Sequence, residues 1–214
     1  MHRGYFFCTV IVGLFLLFQQ KAETHPHAWI DLESKAVIDA EGNLVAVEQT
    51  WLFGPFYSGF ILADIDTTDS VAVTRDLREI ARQNLTSLRE YDYFTVVQAD
   101  GRDQVISDVE TFETGVIDGR IYLKIEARLA SPVPLQNSAV RYAIYDPTYY
   151  VEILHTQGSE PAVQTASDNR CAATLTPPAP TFEQLAYAAS LDKTEKATTG
   201  LGSSFAEWVD ISCQ

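Results

Sequence analysis

The sequence predicts a sheet-rich α+β domain, mainly antiparallel, with about two helices and one disulfide. Short apolar segments alternate with polar residues at a period of two, and turn residues separate them. Two longer stretches instead carry helix signals, one an apolar stripe and the other a capping box. Cys171 and Cys213 are the cysteines that remain once an apolar leader is set aside, and in an oxidising compartment such a pair is most simply a disulfide. A pair of thiolate metal ligands is the alternative, although no Cys-x-x-Cys spacing accompanies it.

The leader is residues 1–24. It has a short basic start at Met1-His2-Arg3, an apolar run over 5–18 and a polar region over 19–24, the pattern of a secretory signal peptide. The run is shorter than the ~20 residues that span a bilayer as a helix. Cleavage after Ala22 or after Thr24 fits the small residues there. No later segment is long and apolar enough to cross a membrane, so residues 25–214 are expected to form a single exported periplasmic domain without stable membrane insertion. The chain has 29 acidic and 15 basic residues, a net charge of −14. Such a surface repels nucleic acid and anionic lipid and attracts cations.

Residues 27–38 alternate as a half-buried strand, with Ala28, Ile30 and Leu32 on one face and His27, Trp29, Asp31 and Glu33 on the other. Glu41-Gly42-Asn43 turns the chain into a second strand over 44–53, giving a hairpin. Gly54-Pro55 ends it, and a short helix through Phe60 and Leu62 follows, then an acidic patch of Asp64, Asp66 and Asp69. The clearest helix spans 74–90, with Leu77, Ile80, Ala81, Leu85 and Leu88 on one stripe. Strands are expected at 94–98, 105–114 and 120–129, the last two joined by the favoured hairpin turn Asp118-Gly119, with Ser131-Pro132-Val133-Pro134 ending the unit. Two more lie at 140–145 and 149–154, on either side of Asp146-Pro147-Thr148. Residues 158–170 read as a polar loop. Thr181 and Gln184 form a capping box for the second helix, 193–204 is a flexible link, and 205–212 is the final strand.

Residues able to carry chemistry are few. His25 and His27 flank Pro26, which biases His25 toward an extended backbone. Residues two apart on an extended chain point the same way, about 6.6 Å apart, so both imidazoles could converge on one ion. Asp31 would lie about 13 Å from His27, too far to share it. Cleavage after Ala22 would expose Glu23-Thr24-His25, an amine, two amides and an imidazole in sequence, a square-planar set suited to copper or nickel. Cleavage after Thr24 makes His25 the first residue, and Pro26 then has no amide proton to lose. Glu152 and His155 are the other candidate metal ligands. Three apart on a strand, they face opposite ways, and His155 is the better ligand type. Asp146 is read as a turn former, with metal ligation the lesser alternative. There is no Gly-x-Ser-x-Gly elbow, phosphate-binding glycine loop or His-Glu-x-x-His helix, and no catalytic function is expected.

His25-Pro26-His27-Ala28-Trp29-Ile30-Asp31 after a signal peptide resembles the start of an uncharacterised bacterial periplasmic family. Trp51-Leu52-Phe53 with Phe56-Tyr57, Tyr91-Asp92-Tyr93-Phe94, Tyr145 through Glu152, Cys171, Pro177-Pro178, Leu201-Gly202 and Cys213 extend the resemblance over the mature chain. Members are typically encoded beside NicO-like nickel/cobalt transporters and described as periplasmic components of metal transport, zinc uptake included. Two positions depart from the pattern: Gly54 stands where members often carry an acidic residue, and Thr24 where they usually carry alanine.

Motif and resemblance together imply a periplasmic metal-binding accessory protein. It would capture zinc or nickel/cobalt through His25 and His27, aided by His155 or Glu152, and hand the ion to an inner-membrane permease. Copper is the alternative ion, in an enzyme with an amino-terminal histidine brace. A third class is a periplasmic interaction domain without metal.

Overall fold

The computed structural model describes residues 26–166, 171–191, 197 and 200–213. The leader 1–24 and His25 lie outside the described residues. The strands are β1 (Ala28–Ile38), β2 (Asn43–Phe53), β3 (Thr95–Ala99), β4 (Arg102–Asp103), β5 (Phe112–Ile117), β6 (Arg120–Pro134), β7 (Val140–Ile144), β8 (Val151–His155), β9 (Ala162–Thr165), β10 (Cys171–Thr176) and β11 (Trp208–Cys213). The helices are α1 (Pro55–Leu62), α2 (Ser70–Leu88), α3 (Phe182–Ser190) and α4 (Leu201–Ser204). The fold is sheet-rich α+β, as the alternation predicts. None of the described helices is long and apolar enough to cross a membrane.

Two sheets share one core. The first runs β5-β6-β2-β1-β8, with β9 also paired to β1, and the second runs β10-β11-β7-β3-β4. All pairings are antiparallel except those of β1 with β8 and β9. Ile30, Leu32 and Trp51 from the first sheet meet Val97, Tyr142 and Val209 from the second, and Leu77, Ala81 and Leu85 of α2 close the same cluster. Buried hydrogen bonds cross between the sheets as well: Gln49 Nε2 on β2 donates to Thr95 Oγ1 on β3 at 2.7 Å.

Local signals set most element ends. Asp118 and Gly119 both have positive φ (50° and 76°), which the two-residue turn between β5 and β6 requires. Thr181 and Gln184 make both halves of their capping box. The paired cysteines sit opposite one another in β10 and β11 and are joined as a disulfide.

Several boundaries differ from expectation, each for a physical reason. Helix α2 begins at Ser70, earlier than its apolar stripe, because the Asp69 carboxylate accepts from the Val71 and Ala72 N–H groups and caps the first turn. The strand expected at 105–114 shrinks to β5, and Ile106 makes only a bridge to Leu129. Strand β6 runs on through the Pro132 and Pro134 region, because β5 pairs only with Arg120–Ile125. Beyond Ile125 that outer edge carries the Ile106–Leu129 bridge, flanked by hydrogen bonds at Arg128 and Ala130, and Pro132 and Pro134 lie past it, so they interrupt no ladder there. The polar loop contains β9, which follows β8 along the same edge of β1. Part of the link at 193–204 is α4.

Candidate functional site

The end of the β1–β8 pair gathers the residues of interest. β8 runs parallel to β1, with Ala28 opposite Val151, Trp29 opposite Glu152 and Leu32 opposite His155. Just before β1, the His27 N–H donates to the Tyr150 carbonyl at 2.8 Å. The His27 ring lies on the Tyr150 ring, centroids 4.5 Å apart, and its Nε2 is buried. Here the alternation fails. His27 precedes the strand and lines a cavity with the core-facing Ile30 and Trp51, instead of joining Trp29 on the outer face.

Glu152 belongs to the outer face. Its Oε1 accepts from the Tyr149 hydroxyl at 3.0 Å, and it lines a cavity of about 250 Å³ with Pro26, Trp29 and Leu185. The turn that delivers it is built by Asp146, 4% exposed, whose Oδ1 accepts from Thr148 N and Oγ1 and whose Oδ2 accepts from the N–H groups of Tyr150 and Val151. With its oxygens committed in this way, Asp146 shapes the turn. Tyr149 takes a left-handed φ of 54° and stacks on Phe205 at 3.9 Å, which seats α4 against the turn. Asp31 is held by Arg120, whose Nη1 reaches Oδ2 at 2.7 Å while Nε and Nη2 donate to the carbonyls of Phe53 and Leu52.

His155 lies at the far end of β8, on the core side. Leu32, its partner, lies five positions along the chain from His27, so the two histidines are roughly 16 Å apart along the sheet. Glu207 Oε2 accepts from His155 Nδ1 at 2.8 Å and from its backbone N–H at 2.6 Å. On the other side of the ring, Nε2 meets Ser34 Oγ at 2.7 Å, and Ser34 Oγ meets the Tyr142 hydroxyl at 2.8 Å. A carboxylate only accepts, so Nδ1 carries a proton. In the neutral ring Nε2 then accepts from Ser34, whose oxygen accepts from Tyr142. Burial pushes the Tyr142 phenol up to about 12.

Ser34, His155 and Glu207 follow the order of a nucleophile, its base and an orienting acid. Ser34 is only 6% exposed, however, and its oxygen faces Tyr142, which is fully buried. The chain runs from β1 and β8 in one sheet to β7 and the entry of β11 in the other, and so acts as a tie between sheets. Sequence reasoning missed Ser34, Tyr142 and Glu207. One signal was available: Ser34 interrupts the apolar series Ile30, Leu32, Ala36, Ile38 on the buried face of β1.

The structure thus brings Glu152 close to Pro26, leaves His27 on the other side of the same strand end, and commits His155 elsewhere. Among the described residues, no group of three or more His, Cys, Asp or Glu side chains is placed to hold a metal ion. No solved structure matches the chain. It is 27% identical over 208 residues to an uncharacterized protein of Haemophilus influenzae (strain ATCC 51907 / DSM 11121 / KW20 / Rd), covering 96% of this chain and 98% of that protein. A family model described as "Protein of unknown function (DUF1007)" matches residues 10–213, and the chain belongs to that family.

Proposed function

We propose that this protein is exported to the periplasm by its leader, captures a divalent transition metal at its His25-Pro26-His27 opening and hands the ion to an inner-membrane permease. Zinc or nickel/cobalt is the favoured cargo. The observation that carries this reading is the shared cavity of Pro26 and Glu152, which sets a carboxylate beside the residue bonded to His25. Imidazole and carboxylate oxygen are a ligand combination that zinc accepts, and two histidines alone do not fill its shell. Of the two accessory ligands that the sequence offers, Glu152 fits better. His155 joins only by giving up Ser34 or Glu207. The acidic balance of the chain favours cation capture over a long range.

His27 has a further requirement. Its ring rests on Tyr150, so sharing an ion with His25 on the Glu152 side means leaving that stack. Titration of the purified exported protein with zinc, nickel, cobalt and copper in turn tests the proposal. Binding of zinc or nickel/cobalt is expected, with a change in tyrosine absorbance as Tyr150 is released. Glu152→Gln should weaken binding about 10–100-fold. The double substitution His25→Ala and His27→Ala should remove it, and unchanged affinity in that variant would overturn the proposal. The intact mass of the exported protein fixes whether the chain opens at Glu23 or at His25.

A further inference from the structure

We propose that the aromatic cavity beside His27 is a binding site for a neutral, planar aromatic molecule. The cavity measures about 360 Å³, within the ~300–1,000 Å³ range of small-molecule sites. Its floor is Ile30, Trp51, Phe53 and Phe94, exposed by 4%, 2%, 9% and 8% respectively. Ser87 and Leu88 of α2 and the 43%-exposed Tyr150 stand on its more open side. Asn84 and His27 supply polar edges, and no aspartate, glutamate, lysine or arginine is part of the lining. A charged ligand would find no counter-ion there, and a strongly anionic one would also meet the net charge of the chain.

The walls favour a flat ring over a bulky aliphatic group. Trp51 and Phe94 stack at 5.9 Å with 17° between their planes, and Phe53 and Tyr57 at 4.9 Å with 28°. These pairs hold their rings in fixed planes around the void, so an entering aromatic gains offset-stacked or edge contacts without reorganising them. The backbone that delivers two of the rings is itself unusual. Asp92, Tyr93 and Phe94 are three successive non-glycine residues with φ of 50°, 54° and 60°, and Tyr149, just before Tyr150, has φ of 54°. Left-handed backbone at such residues persists only where the surrounding structure over-determines it. Here it aims Phe94 and Tyr150 at the cavity from two separate segments. The proposal is independent of metal capture, because it needs no ion.

The test is titration of the mature protein, kept metal-free with a chelator, with indole, benzimidazole and quinoline at up to millimolar concentration. Trp51 Nε1 donates to Gln49 Oε1 at 2.8 Å in a buried setting, so its indole N–H gives a distinct signal in a two-dimensional N–H spectrum. That signal should move saturably with at least one probe, while the Trp208 signal stays still. Cyclohexanol should bind about two- to tenfold more weakly than the best aromatic probe. Ser87→Phe, at an exposed position on the cavity rim, should remove the response with the thermal midpoint unchanged. The proposal is overturned if none of the three probes moves Trp51, if cyclohexanol binds as tightly, or if Ser87→Phe responds like the parent protein.

Discussion

Replacing His155 with alanine removes the middle of the chain Tyr142–Ser34–His155–Glu207. It leaves the Glu207 carboxylate without its ring partner and Ser34 with one bond fewer in a buried setting. Losses of this kind cost about 2–4 kcal/mol, and urea denaturation of His155→Ala should show a drop of that size. Tyr142 gives a second prediction. Its phenol is raised to about 12 from an ordinary value of 10.0. The unfolded chain therefore releases this proton first, and the contribution of Tyr142 is fully present below pH 10 and lost as pH rises through about 12. A rise of that size corresponds to about 2–3 kcal/mol of stability, so wild type should lose stability across that window faster than Tyr142→Phe in parallel thermal melts. On the acid side, burial tends to raise the Glu48 carboxyl, but hydrogen bonds and charge from Lys35 and Lys124 outweigh it and hold the group below its usual range. Part of this was legible in the sequence. A serine among aliphatic residues on a buried strand face announces a polar partner. Glu207 does not announce itself, because it meets His155 across 52 residues and only the docking of the two sheets brings them together.

Elements were legible where their determinants are local. The turns at Glu41-Gly42-Asn43 and Asp118-Gly119 and the capping box at Thr181 need only neighbouring residues, and all three are found. Strands β9 and β10 were not legible. They are short, carry threonine, glutamine and alanine in place of a strong apolar alternation, and owe their pairing to β1 and β11. The alternation puts His27 on the wrong side because the strand geometry it assumes starts one residue later, at Ala28. Helix α4 depends on a close approach that no sequence pattern announces. A Cβ on Gly202 would run into the carbonyl oxygen of Asp146, in the turn that positions Tyr149 and Glu152. Gly202→Ala should therefore lower stability by about 1–3 kcal/mol. It should also expose the stacked Tyr149–Phe205 pair, which near-ultraviolet circular dichroism reads directly.

At the scale of the whole molecule, the disulfide closes β10 onto β11 across 42 residues, which include α3 and α4. In the chain-entropy view a loop of this length contributes about 4 kcal/mol. Reduction, or Cys171→Ser with Cys213→Ser, should lower the denaturation midpoint accordingly while leaving the probe response of the aromatic cavity in place, since the lining of that cavity includes neither strand. The position of β1 has a consequence for assembly. One edge of β1 pairs with β2, which follows at once, whereas its other edge waits for β8 and β9. Ser34 and His155, joined across that second edge, are 121 residues apart. A polypeptide that emerges amino terminus first therefore presents an early hairpin with one open flank for most of its delivery. The pocket around Pro26 and Glu152 comes into being only near the end, once Glu152, Leu185 and Phe205 have all followed, so under the proposed metal capture a half-delivered chain would carry the histidines without the pocket beside them.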